Sequence, residues 1–130
     1  MEPIDKHLSG IVVHGQQLGR RLGYPTANID TSRIVGEVPQ PGVYAAWATL
    51  TDGTRYKAMV NVGYRPTVSA AGTRVLTVEA HLADYTGDLY GQQLSLHIVA
   101  RIRDERRMDS LDQLRSQLGL DLSEVRKLEC

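Results

Sequence analysis

Three residues in this chain have the type and spacing to do chemistry on an anionic substrate. Thr26 and Asn28 stand two apart in Pro25-Thr26-Ala27-Asn28. In an extended segment that spacing puts both side chains on one side. A hydroxyl and an amide oxygen are hard, neutral donors. Mg²⁺ takes one or two such protein oxygens and completes its shell with water and substrate phosphates. Two neutral ligands hold the free ion weakly, but they suffice when ATP brings the ion and its negative charge. The plainer reading is that both side chains satisfy the backbone of a turn. The third residue is Glu79, in the alternating run 73–85. Glutamate is mostly exposed, so a solvent-facing role accounts for it first. Yet it is a poor strand former, and a carboxylate fixed on a barrel's outer wall can accept a proton from a hydroxyl.

Ahead of Thr26, Gly15, Gly19 and Gly23 recur four apart, with Arg20 and Arg21 between them. Glycines let a backbone approach a ligand and present N–H groups to an anion. The arginines add charge, and the combination fits phosphate. By composition alone the segment reads first as a surface loop with two solvated arginines. Other chemistries lack their signatures. The chain has no G-x-x-x-x-G-K-[ST] or G-x-G-x-x-G loop and no G-x-S-x-G elbow. Its four histidines, His7, His14, His81 and His97, show no metal-site spacing.

The elements that must position these residues emerge from pattern. Ile11-Val12-Val13 reads as a short buried strand. Residues 42–50 and 55–62 read as strands around Asp52-Gly53, a hairpin signal in which both turn residues take positive φ. Residues 63–72 read as a loop. In 73–85, Leu76, Val78, Ala80 and Leu82 share one face, and Val75, Thr77, Glu79 and His81 the other. In 94–103, Leu94, Leu96, Ile98, Ala100 and Ile102 point inward together. From Leu111 the period changes: Leu111, Leu114, Leu118, Leu122, Val125 and Leu128 form a helical stripe. Ser110 with Gln113 is a capping box, and Gly119 is expected to end or kink the helix. Strands first and a helix last suggest a closed or nearly closed antiparallel barrel with the helix over an opening or edge.

At 130 residues the chain suits one domain, 1–130. Lys+Arg and Asp+Glu are 15 each, so the net charge of zero argues against a bulk nucleic-acid or membrane-surface binder. Cys130 is the lone cysteine, which gives no internal disulfide and no sign of secretion. The start MEPIDKHLSG has no apolar signal core. A cytoplasmic protein is expected.

GIVVHGQQLGRRLGYPTANI, PGVYAA, NVGYRPTV, VEAHLADYTGDLYG and IRDERRMDSLDQLRSQL, in that order, resemble the riboflavin kinase (flavokinase) family, as found in the kinase half of bacterial bifunctional enzymes. The resemblance covers residues 9 to 128. It implies a six-stranded antiparallel Greek-key (split) barrel with a C-terminal α-helix. It also implies phosphorylation of the riboflavin 5′-hydroxyl by ATP with Mg²⁺, giving FMN and ADP. By matched position Thr26 and Asn28 bind Mg–ATP, Gly15 and Arg20 contact nucleotide, and Glu79 is the general base. Arg103 and Met108 fall in the flavin-side flap. Tyr24, Tyr85 and Met108 stand where the family often has Phe, and Met108 loses an aromatic ring. Nothing in the chain resembles the adenylyltransferase half, so FMN synthesis alone is expected, by an excised domain or a complete enzyme. The expected partners are riboflavin and ATP, with no nucleic acid, no membrane and a monomeric state. A non-catalytic flavin-binding barrel is the alternative. A single-strand-binding barrel ranks last, because the arginines cluster in two places rather than interleaving with aromatic residues.

Overall fold

The computed structural model describes residues 1–14, 22–66 and 74–129. Among the described residues seven strands run in chain order: β1 (Glu2–Val13), β2 (Ala27–Ile29), β3 (Val35–Gly36), β4 (Gly42–Thr49), β5 (Arg55–Pro66), β6 (Arg74–Leu82) and β7 (Gln93–Arg103). Helix α1 (Leu111–Arg126) comes last. The sheet order is β2-β6-β5-β4-β7-β1-β3, and β2 pairs with β1 as well. Every pairing is antiparallel. Six strands therefore close into a ring, and β3 is a two-residue flange on β1.

The closure is made by β2. Its Asn28 pairs with Val13 on one side and with Glu79 on the other. Ala27 packs toward the core, so the alternation turns Thr26 and Asn28 outward.

The barrel interior is filled by alternate residues of the long strands, among them Tyr44, Ala46, Val60, Val62, Leu94 and Ile98. A second cluster lies outside the wall, where Val43, Ala45, Met59 and Ala100 meet Val125, Leu118 and Leu122 of α1. Strand β4 is thus covered on both faces. That is why Gly42 to Ala46 reads as an unbroken apolar run rather than an alternating one.

Several local expectations are corrected. Strand β1 begins at Glu2, nine residues before Ile11, because β7 pairs with it from Glu2 to Ile11. Strand β5 runs on to Pro66 instead of yielding to a loop at Gly63. In the β4–β5 hairpin only Gly53 has positive φ, at 89°. Gly53 N donates to Leu50 O, and Leu50 N to Thr54 O, which is the three-residue turn with a glycine bulge. Asp52 instead caps the turn by accepting from Thr54 N.

Strand β7 does not keep its alternation. Ala46 pairs with Ile98, Ala45 with Ala100, Tyr44 with Arg101 and Val43 with Arg103. Val99 and Ile102 are extra residues, and each bulge re-aims the side chains beyond it. Ala100 and Ile102 are therefore under α1 and not in the barrel interior. Arg101 turns toward the Tyr44 hydroxyl, at 2.7 Å, and Arg103 toward the helix.

Helix α1 passes through Gly119 without a break. A Cβ there would lie 3.3 Å from the Tyr24 hydroxyl, so the glycine makes room for a neighbour. Ser110 caps the helix by accepting from Gln113 N at 3.1 Å, and the Gln113 amide oxygen accepts from Asp109 N at 3.0 Å. Leu111, counted in the apolar stripe, is 54% exposed. No helix among the described residues is long and apolar enough to cross a membrane.

Candidate active site

The closing strand, β6 and β5 set a polar row on the outer wall. Asn28, Glu79 and Asn61 are direct cross-strand partners in register. Such partners hold their Cβ atoms about 5 Å apart on one face. One step before β2, Thr26 Oγ1 donates a hydrogen bond to Glu79 Oε1 at 3.2 Å. The segment that carries Thr26 is itself anchored. His81 Nδ1 bonds the Pro25 carbonyl at 2.7 Å, and the Tyr24 ring meets the His81 ring edge-on at 5.5 Å. His81 shares the outer face of β6 with Glu79, so one strand face both supplies the carboxylate and fixes the turn opposite it.

Two cavities meet at Thr26. One, of about 320 Å³, is lined by Thr26, Asn28, His14, Tyr85, Asp88 and Tyr90, among others. The His14 and Tyr90 rings stack there at 3.8 Å. The second, of about 160 Å³, lies between the polar row and α1, and its walls include Thr26, Glu79, Asn61, Arg103, Glu105 and Leu118. The hydroxyl of Thr26 has one proton and two lone pairs. Given to Glu79, the proton orients the carboxylate, and the lone pairs are left for the other side.

The sequence expectations sort clearly. Thr26, Asn28 and Glu79 are brought together. Arg103 lines the cavity that holds Glu79, but its guanidinium is committed to Asp121. Arg103 Nε donates to Asp121 Oδ1 at 3.0 Å and Nη2 to Oδ2 at 2.8 Å, and Asp121 is 1% exposed. Gln117 Nε2 adds a further bond to the same carboxylate at 2.9 Å. Arg103 therefore fixes β7 to α1 while forming cavity wall. Met108 is half-buried in a separate depression with Arg106 and Arg107, and is not part of the Glu79 cavity. Gly15 and Arg20, like Arg21 and Cys130, lie outside the described residues.

Three residues escaped the sequence reading. Asn61 Oδ1 is buried and has no hydrogen-bond partner among the described residues. Only its place opposite Glu79 gives it meaning, and it stands close to Gly63, where a loop was expected to begin. Glu105 sits beneath Gly63, where a Cβ would fall 2.2 Å from its Oε1. Loss of water around the Glu105 carboxyl raises its pKa above the usual range, Arg103 pulls it back, and the Glu79 charge adds to the rise. Asp121 lies in the helical segment, where nothing in its local pattern sets it apart from an exposed acid. The four histidines show no metal-site spacing along the chain, but the β1–β7 pairing places His7 beside His97, with Asp5 against both.

The Flavokinase family profile, described as riboflavin kinase, matches residues 3–129. The bifunctional riboflavin kinase/FMN adenylyltransferase of Pseudomonas fluorescens is 39% identical over 121 residues, covering 93% of this chain and 37% of that protein. The RNA-binding riboflavin kinase RibR of Bacillus subtilis (strain 168) is 42% identical over 120 residues, covering 92% and 50%. This chain thus spans half or less of the length of these relatives. The crystal structure of a macrolide-efflux protein from Streptococcus pneumoniae superposes with a TM-score of 0.80 at 33% identity, over 95% of this chain and 39% of that one. The riboflavin kinase of Trypanosoma brucei shares the fold, with a TM-score of 0.65 at 24% identity over 97% and 79% of the two chains.

Proposed function

Because the chain belongs to the riboflavin kinase (flavokinase) family, we propose that it transfers the γ-phosphoryl group of ATP to the 5′-hydroxyl of riboflavin. One observation carries the reading at the level of mechanism: Thr26 lines both cavities and holds Glu79 by a hydrogen bond. Two substrates bound in the two cavities would meet at the Thr26–Glu79 pair. The larger cavity takes ATP, and the one under α1 takes the flavin. Gly15 and Arg20 complete the phosphate side of this reading.

Thr26 and Asn28 fit Mg²⁺ by donor type. Both offer neutral oxygens, they share the outer side of β2, and the cavity they face has room for the phosphates that would supply the remaining ligands. Bound there, the ion would neutralise charge on the transferring phosphoryl group. The chain's own groups do the rest. Glu79 orients the 5′-hydroxyl and accepts its proton as the oxygen–phosphorus bond forms and the bond to ADP breaks. An alcohol is far weaker as an acid than a glutamic acid, so the proton moves late in that displacement. Thr26 keeps the carboxylate aimed. Arg103, Glu105 and Leu118 form the flavin wall, and Met108 stands in the neighbouring depression, which shares Arg106 with that cavity. The products are FMN and ADP.

The reading includes a monomer acting on small molecules in the cytoplasm as one domain, without nucleic acid or membrane. The RNA binding named for the Bacillus relative belongs to that protein, half of which this chain matches. Incubation with riboflavin and Mg–ATP tests the proposal: FMN and ADP should form in equal amounts. Tight flavin binding without ADP formation would favour the non-catalytic barrel instead.

A further inference from the structure

Outside both cavities, Asp5, His7 and His97 converge on the outer face of the β1–β7 pair. His7 and His97 are direct cross-strand partners, and their rings stack at 4.0 Å, only 13° from parallel. The β1 register slips between Pro3 and Lys6. At that irregularity Asp5 turns its carboxylate onto both rings: Asp5 Oδ1 lies 3.2 Å from His7 Nε2 and 2.9 Å from His97 Nε2. One ligating atom from each of the three residues lies within 4.8 Å of the others.

We propose that Asp5, His7 and His97 form a binding site for a divalent transition-metal ion of the Zn²⁺ kind. Three observations carry this. The donor set is two imidazole nitrogens and one carboxylate oxygen, which suits Zn²⁺ and its neighbours and not Mg²⁺. The spacing is right as well: donors about 2.1 Å from a tetrahedral ion stand about 3.4 Å from one another, close to the two distances measured to Asp5. Finally, the cross-strand register holds the two Cβ atoms side by side on one face, so that rotation about the side-chain bonds turns the stacked rings apart and aims both Nε2 lone pairs at one ion beside Asp5. The ion takes the place of the hydrogen bonds that now join Asp5 to the rings. With three protein ligands and exposed Asp5 and His7, the fourth position is open to water or an exogenous ligand. His7 lies six residues along β1 from Val13, the partner of Asn28, or about 20 Å at strand rise. The site is therefore separate from the Mg²⁺ position proposed above and different in donor chemistry.

The test uses the full chain without an affinity tag, with Cys130→Ser to remove a competing thiol. Zn²⁺ is titrated by calorimetry in the absence of nucleotide. The expected result is one saturable site that His7→Ala or His97→Ala weakens by more than about tenfold. His14→Ala should leave it intact, and millimolar Mg²⁺ should not displace the ion. Circular dichroism confirms that the exposed substitutions leave the fold unchanged. Absence of saturable binding would overturn the proposal. So would affinity that survives His97→Ala, or that is lost in His14→Ala.

Discussion

Replacing Arg103 with methionine should destabilise this protein far more than its place on a cavity wall suggests. Asp121 is 1% exposed, and its charge is compensated by the Arg103 guanidinium, with bonds at 3.0 and 2.8 Å. In Arg103→Met, among the described residues, only the Gln117 amide, at 2.9 Å, still faces that carboxylate. A buried charge left without its partner costs about 3–5 kcal/mol. The opposite change is milder. In Asp121→Asn the guanidinium, with its side chain 21% exposed, still reaches solvent and the Asp104 carbonyl at 3.0 Å. We expect that variant to lose about 1–2 kcal/mol. Joining Arg103→Met with Asp121→Leu removes both charges and should recover most of the loss. Urea unfolding is the assay. With a slope of about 2 kcal/mol per molar, a loss of about 4 kcal/mol lowers the midpoint by about 2 M. A midpoint shift under about 0.5 M for Arg103→Met, or a larger one for Asp121→Asn, would refute the reasoning. The double variant also separates the two roles of Arg103. Its KM for riboflavin should stay raised after stability returns, because the cavity wall has still changed.

The same site yields further expected outcomes. Thr26→Val and Asn28→Ala should each raise the KM for Mg–ATP by about tenfold or more, the effect of losing one charge-assisted contact, as read in steady-state kinetics. Asn61→Val should raise the melting temperature by a few degrees, because it removes a buried acceptor that has no partner among the described residues, while the KM for riboflavin increases; a fall in both would contradict this. Glu105 gives a pH test. Its folded pKa is raised above 4.5, so its neutral form favours folding and that contribution fades as pH rises through the folded value. Glu105→Gln should therefore match the parent near pH 4 and exceed it in thermal stability near pH 7; the reverse order would reject the desolvation account.

Much of this was legible in the chain, for identifiable reasons. Period-2 alternation placed Glu79 and His81 on the face opposite Val78 and Ala80, and a spacing of two placed Thr26 beside Asn28. These are local properties, and a strand transmits them faithfully. The strand β7 expectation failed because a bulge leaves no mark in apolar composition: Val99 and Ile102 look like any β-branched strand residues, yet each shifts the register. Gly119 misled because its role is to accommodate Tyr24, far away in sequence. Asn61 and Asp121 were invisible for a related reason, since the groups that face them come from other strands or another element. His7 and His97 were dismissed on linear spacing, which carries no information about a cross-strand pair.

The most direct measurement is single-turnover conversion of riboflavin to FMN by Glu79→Gln with saturating Mg–ATP. Glutamine keeps the shape and can still accept from Thr26, but it cannot take the hydroxyl proton. General-base assistance contributes about 10²–10⁴-fold, so FMN formation should slow by at least about a hundredfold with flavin binding retained. Turnover at the parent rate would contradict the account at its centre.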